Sequence, residues 1–184
     1  MPDTPSAAPA SADTTDAAQA TELRLDEHKA RQYIEKLRLE QNLPMGLVAG
    51  ALASALGAVL WATVTALSGL QIGWMAVGIG FLVGFAVRTF GKGIDKVFGV
   101  TGAALSLLGC VVGNFVSILI IISREQTLPM GTLLANLSPA VCLELMAAAF
   151  HPLDLLFYAI AVYEGYRFSF RVIDQQELVA AAQA

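Results

Sequence analysis

Polar and apolar positions divide this chain sharply. Residues 1–21 are, apart from Met1 and Gln19, all Ala, Ser, Thr, Pro and Asp with no apolar cluster, a composition that cannot offset ordering entropy by burial and is expected to be disordered. Glu22–Asn42 is dense in charge yet keeps an apolar stripe at Ala30, Tyr33, Ile34 and Leu37, spaced for one face of a helix. It contains no Gly or Pro, and Glu27 and Arg31 form a favourable i,i+4 pair. From Met45 to Val87 there is then no Asp, Glu, Lys or Arg at all. A soluble helix exposes most of its circumference to water and cannot hide such a run; a bilayer can.

That long run reads as two spans. Met45–Leu67 is 23 residues, enough to cover the roughly 30 Å hydrocarbon core with slight tilt. Pro44 suits the first helical turn, where its missing N–H has no partner. A turn at Ser68–Gln71 precedes a shorter second span from Ile72 to Val87 or Phe90, with Arg88 snorkelling at its end. A third span lies within Val97–Ser123, long enough to require tilt or protrusion. Arg124–His151 is broken by Pro129, Gly131 and Pro139. Ser138 and Pro139 start a helix to about Phe150, too short to span and therefore interfacial or re-entrant. A fourth span begins after Pro152, with Asp154 near its cap, and runs to about Phe170.

Charge orients these spans. Arg24, Lys29, Arg31, Lys36, Arg38, Arg88, Lys92, Lys96, Arg167 and Arg171 all fall on one side if four spans are counted, leaving only Arg124 opposite. The positive-inside rule then places both chain ends in the cytoplasm. The expected fold class is all-α: a polytopic membrane protein of four transmembrane helices, with a cytoplasmic amphipathic N-terminal helix and an interfacial helix in the third loop. Its segments are a tail over 1–21, the cytoplasmic helix over 22–43, the membrane domain over 44–171 and a C-terminal tail over 172–184. Residues 1–21 contain neither the bases nor the apolar stretch of a cleavable signal, so the first span is expected to act as an uncleaved anchor.

Composition agrees: 56% of residues are hydrophobic and 14% charged, against about 25% charged in soluble domains. The five acids and five bases of Glu22–Glu40 balance, which argues against a polybasic lipid-binding helix. Cys110 and Cys142 fall in different segments and read as packing residues rather than a disulfide. No nucleophile motif, phosphate loop or cysteine-pair metal motif occurs, so neither enzymatic activity, a cofactor nor nucleic-acid binding is expected. His151 with Asp154 and Glu144 lacks a spaced second strong ligand, and no metal site is expected there.

Small residues are the expected packing surface, because lipid tails leave little hydrophobic drive between helices. Gly46, Gly50, Ala53 and Gly57 form one stripe on the first span, and Gly73, Ala76, Gly80 and Gly84 another on the second. The two stripes are expected to face each other; lining a pore in an oligomer is the other reading. Among polar residues, Asn114 in the third span either bonds another helix or contacts a ligand or ion. Glu164, deep in the fourth, either pairs with Arg88 or Arg167 or couples protons or ions. Arg88, Lys92 and Lys96 either retain topology or bind lipid headgroup phosphate.

The run Gln71–Arg88 (QIGWMAVGIGFLVGFAVR), followed by Gly91–Asp95 (GKGID), resembles a group of small bacterial membrane proteins of unknown function. Leu107–Cys110, Gly113–Asn114, Pro152–Asp154 and Tyr163–Tyr166 are similar to the same group, so the resemblance covers about residues 45–170. It implies a bacterial inner membrane location and brings no activity, ligand or catalytic residue. The expected function is a non-enzymatic membrane interaction module, an accessory subunit or scaffold. Its partners are the lipid bilayer and either further copies of the chain or another membrane protein. The alternative is a small homo-oligomeric channel or transporter with Glu164, Asn114 and Arg88 on its pathway.

Overall fold

A computed structural model of the chain describes residues 28–70, 72–173, 176, 177 and 180. All regular structure among them is helical: α1 over 28–39, α2 (Leu43–Ser68), α3 (Trp74–Gly91), α4 (Lys96–Glu125), α5 (Met130–Ala135), α6 (Pro139–Ala149) and α7 (Pro152–Phe168). The tail expected over 1–21 lies outside the described residues. Three helices, α2, α3 and α4, are long and apolar enough to cross a membrane, and α6 with α7 make a fourth if that bent pair is one span. This is the make-up of a multi-pass membrane protein.

Each long helix starts and stops for a local reason. The Asn42 side chain accepts from Met45 N at 2.9 Å, and Pro44 occupies the first turn of α2. Gly69, at φ 68°, ends that helix in the left-handed region that glycine enters without a Cβ penalty. Ser138 caps α6. At α7 the His151 side chain accepts from Leu153 N, Asp154 Oδ2 accepts from His151 N at 2.9 Å, and Pro152 follows the cap. The break there turns the chain by 103° between α6 and α7. At 17 residues α7 is about 25 Å long. α4, at 30 residues, is about 45 Å long and exceeds the hydrocarbon core.

The described residues divide into two compact units, one holding residues 28–39 with 172, 173, 176, 177 and 180, the other Glu40–Arg171. In the first, Ala30, Tyr33 and Ile34 are half-buried and Leu37 is buried, while Arg31, Gln32, Glu35 and Lys36 are exposed. The Tyr33 hydroxyl donates to Glu177 at 3.1 Å. Of the helix expected over 22–43, residues 22–27 lie outside the described residues; the helix ends at residue 39, and residues 40–42 belong to the bundle.

In the second unit α3 and α4 pack on each other, α2 lies against both, and α7 lies against both. α2 and α7 do not meet, so the α3–α4 pair is the middle of the bundle. Trp61, Ile79, Val83, Val87, Phe98 and Cys110 fill its interior. The glycine stripes do not face each other as expected. A Cβ on Gly57 would lie 2.8 Å from Ile79, and one on Gly50 2.6 Å from Val87, so the α2 stripe does meet α3. On α3, however, a Cβ on Gly73 would meet the Phe157 ring at 2.5 Å, on Gly80 the Ala161 carbonyl at 2.6 Å and on Gly84 Phe168 at 2.9 Å. That stripe faces α7. The reason is that α3 has two packing sides: its bulky Ile79, Val83 and Val87 fill the space toward α2 and α4, while its glycines admit the α7 backbone.

Gly80 meets backbone, which cannot rotate aside, whereas Gly78 meets nothing within 4 Å. Gly80→Ala is therefore expected to destabilise the bundle by about 1–3 kcal/mol, and Gly78→Ala to be neutral or stabilising by up to about 1 kcal/mol. Thermal unfolding in one detergent compares them; equal midpoints would refute the close α3–α7 contact.

Candidate functional site

Two polar assemblies stand out, one within the bundle and one at its end. The internal one centres on α4, where Ser106, Gly109, Cys110, Gly113, Asn114 and Ser117 are all buried. Ser54 Oγ on α2 donates to Leu105 O at 2.9 Å, and Thr65 Oγ1 on α2 to Ser117 Oγ at 3.1 Å. The Cys110 thiol lies 3.8 Å from Ala76 O on α3, and Asn114 Nδ2 donates to the Tyr158 hydroxyl on α7 at 2.7 Å. Both thiols are free, as the sequence pattern led one to expect. Asn114 thus takes the first of its two readings and joins helices.

The end assembly gathers three stretches of chain around the α3–α4 loop. Asn42 N donates to Gly91 O at 2.9 Å. Gln41 Oε1 accepts from Ile94 N at 3.0 Å and from Asp95 N at 3.2 Å, while Gln41 Nε2 donates to Asp95 Oδ2 at 2.9 Å. Arg171 N donates to Gly93 O at 2.8 Å, and its guanidinium reaches Glu40 at 2.9 Å. The entry to α2, the exit from α3, the entry to α4 and the chain just beyond α7 therefore meet at one end of the bundle. Lys92 and Lys96 are exposed there, and Arg88 is half-buried one turn inward.

Glu164 sits at the seam of α3 and α7, where its backbone carbonyl lies close to Gly84. The ion pairs expected for it are not formed: among the described residues neither Arg88 nor Arg167 pairs with it. The Arg167 guanidinium donates instead to the Tyr163 hydroxyl at 3.4 Å and lies about 6 Å from the Tyr163 and Phe168 rings. The Arg88 guanidinium lies 6.0 Å from the Phe85 ring, on the preceding turn of α3. Glu164 Oε2 is covered and accepts no hydrogen bond. Asn114, Glu164 and Arg88, grouped by sequence as one pathway, lie on three different helices, α4, α7 and α3, and among the described residues no hydrogen bond or ion pair joins them.

His151 and Asp154 line a small hollow of about 220 Å³ with Gly73 and Phe157, but both are engaged in capping α7. Among the described residues no three His, Cys, Asp or Glu side chains approach closely enough to hold a metal ion. The larger hollow, about 390 Å³, is an apolar groove between α2 and α4 lined by Ala55, Ala62, Ala66, Val112 and Val116 among others. Sequence reasoning missed Gln41, which serves three bonds at the loop, and Tyr158, which reads as an ordinary membrane aromatic. No local pattern ties residue 41 to 95 or residue 158 to 114; only folding brings them together. Comparison with family models, curated proteins and solved structures finds no match to the chain.

The Asn114–Tyr158 bond is the side-chain link between α4 and α7. In a double-mutant cycle of Asn114→Ala and Tyr158→Phe, a coupling of about 0.6–2 kcal/mol is expected from unfolding in detergent. Purely additive losses would show the bond to be inconsequential.

Proposed function

We propose that this chain is a non-enzymatic integral membrane interaction module, an accessory subunit or scaffold. Its bundle crosses the bacterial inner membrane four times, with both flanks cytoplasmic. The observation that carries this reading is the use of polar groups within the bundle. Ser54, Thr65, Cys110 and Asn114 each turn to a neighbouring helix, so these polar side chains serve cohesion, and the groove left between α2 and α4, where four alanines of α2 face Val112, Val116 and Ile120 of α4, suits a close helix contact. The four-crossing arrangement is supported by the end assembly, which ties Glu40–Asn42 and Arg171 to one loop, and the inward direction by ten of eleven bases falling on that side. The bacterial membrane rests on the resemblance over Gln71–Asp95. The glycine faces serve helix packing in this reading. α1 offers its exposed Gln32, Glu35 and Lys36 to a cytoplasmic partner.

A second reading, a small homo-oligomeric channel or transporter, is favoured by one observation: the covered Glu164 Oε2 has no hydrogen-bond donor. An ionisable group within a span without a partner is a natural place to look for ion or proton coupling.

Gentle extraction from the native membrane should give the chain in stoichiometric complex with a second protein. Because Glu40–Asn42 brace the bundle, the informative truncation removes residues 1–39 and keeps 40–42; it should abolish capture of that partner while membrane insertion persists. Undiminished capture would refute recruitment through α1. In proteoliposomes no ion or proton flux depending on Glu164 is expected; a flux that Glu164→Gln abolishes would transfer support to the channel reading.

A further inference from the structure

We propose that Arg88, Lys92 and Lys96 form a binding site for the phosphate of an anionic phospholipid at the bundle end where the α3–α4 loop is braced. The inference requires that the chain crosses a bilayer and is independent of whether it is a scaffold or a channel. It begins with backbone geometry. Lys92 sits at φ 49°, ψ 31°, the left-handed position that closes α3, and its N–H donates to Arg88 O at 3.0 Å. Glycine occupies such a position without steric cost, and other L residues do not.

The neighbouring residues show that the loop uses glycine where space demands it. A Cβ on Gly91 would lie 2.8 Å from the Phe98 ring and 3.2 Å from Gly46 Cα, and one on Gly93 would overlap the Phe98 ring. Between them, at the one position where glycine is conformationally preferred, stands an exposed lysine. Retaining topology needs a positive charge somewhere in the loop but not in a left-handed residue. The strained position therefore points to a role for the Lys92 side chain in that place.

The surroundings select a lipid phosphate. Asp95, the acid of this loop, is hydrogen-bonded by Gln41, and Glu40 is paired with Arg171. Three bases against the one carboxylate of Asp95 leave excess positive charge on the last turn of α3 and the loop after it, whose backbone is held by Gln41, Asn42 and Arg171. Phe85, Phe90, Val97 and Val100 are exposed on the adjoining turns of α3 and α4. A ligand with an anionic head and apolar tails satisfies both surfaces; a hydrophilic anion satisfies one. Long basic side chains at this level place charge at the headgroups while their stems stay along apolar surface.

The test uses the full chain purified in a neutral detergent, titrated with dioleoylphosphatidylglycerol or dioleoylphosphatidylcholine, with bound lipid read by native mass spectrometry and folding by thermal unfolding. The wild-type chain is expected to prefer phosphatidylglycerol. Lys92→Gly should unfold at the same or a higher temperature, since the left-handed lysine is removed, yet bind phosphatidylglycerol about fivefold more weakly. Arg88→Gln, Lys92→Gly and Lys96→Gln combined should abolish the preference. Arg124→Gln, at the far end of α4, should leave it intact. Unchanged binding in Lys92→Gly and in the combined variant would overturn the proposal, as would equal weakening by Arg124→Gln. Displacement of the lipid by millimolar inorganic phosphate would overturn the lipid assignment in favour of a free anion.

Discussion

The bundle depends on how closely backbones can approach the middle of α4. In lipid, burying oil against oil yields little, so cohesion comes from dispersion at short range and from hydrogen bonds that have no water to compete with them. α4 supplies both, on the faces it turns to α2 and to α7. Its glycines at 102, 109 and 113 bring Gly165, Ser54 and Ala58 close, and at these distances Ser54 reaches Leu105 O, Thr65 reaches Ser117, and Asn114 reaches Tyr158. Small residues and polar bonds are one device, since a Cβ on Gly109 would stand 2.7 Å from the Ser54 hydroxyl that makes the bond.

A second constraint acts at the bundle end. Gln41 presents one amide side chain to two loop N–H groups and one carboxylate, satisfying backbone donors that otherwise lie unpaired beyond the ends of α3 and α4. With Arg171 on the same loop, the flanks of the bundle are pinned to its central helix pair. A braced loop of this kind makes the left-handed Lys92 tolerable, and it holds Lys92 and Lys96 exposed at one end of the bundle. The scaffold reading and the lipid site share this geometry: a braced, positively charged face on one side, and a lipid-facing surface of small residues between α2 and α4.

Glu164 marks where the internal polar economy is incomplete. Most polar side chains on the inner faces find hydrogen-bond partners; Trp61 Nε1 and Glu164 Oε2 are covered without one, and the two arginines that sequence proximity nominates for Glu164 extend toward aromatic rings instead. An arginine stem lying along apolar surface is cheap at a helix end, and it leaves the carboxylate alone at the α3–α7 seam.

The sequence by itself determined the long helices and the short one from Pro139, because each signal is local, but not α5 (Met130–Ala135), which lies between Pro129 and Pro139. A charge-free run cannot lie in water, Pro44 and Pro152 open helices, Gly69 closes one, and the basic residues sort to one side by position along the chain. The short helix from Pro139 and the joining of helices by Asn114 were legible for the same reason, a helix too short to span and an amide too polar to leave unbonded in lipid. The tertiary structure decided which faces meet. Nothing in the Gly73, Gly80 and Gly84 stripe says whether α2 or α7 will fill it; that follows from Ile79, Val83 and Val87 occupying the other side of α3. Nothing in Gln41 announces Asp95, nor in Tyr158 its bond to Asn114, since each pair is separated by more than forty residues. Helix formation is set by neighbours a few residues away, whereas the choice of partner is a competition among whole helix faces that is resolved only when all of them pack together.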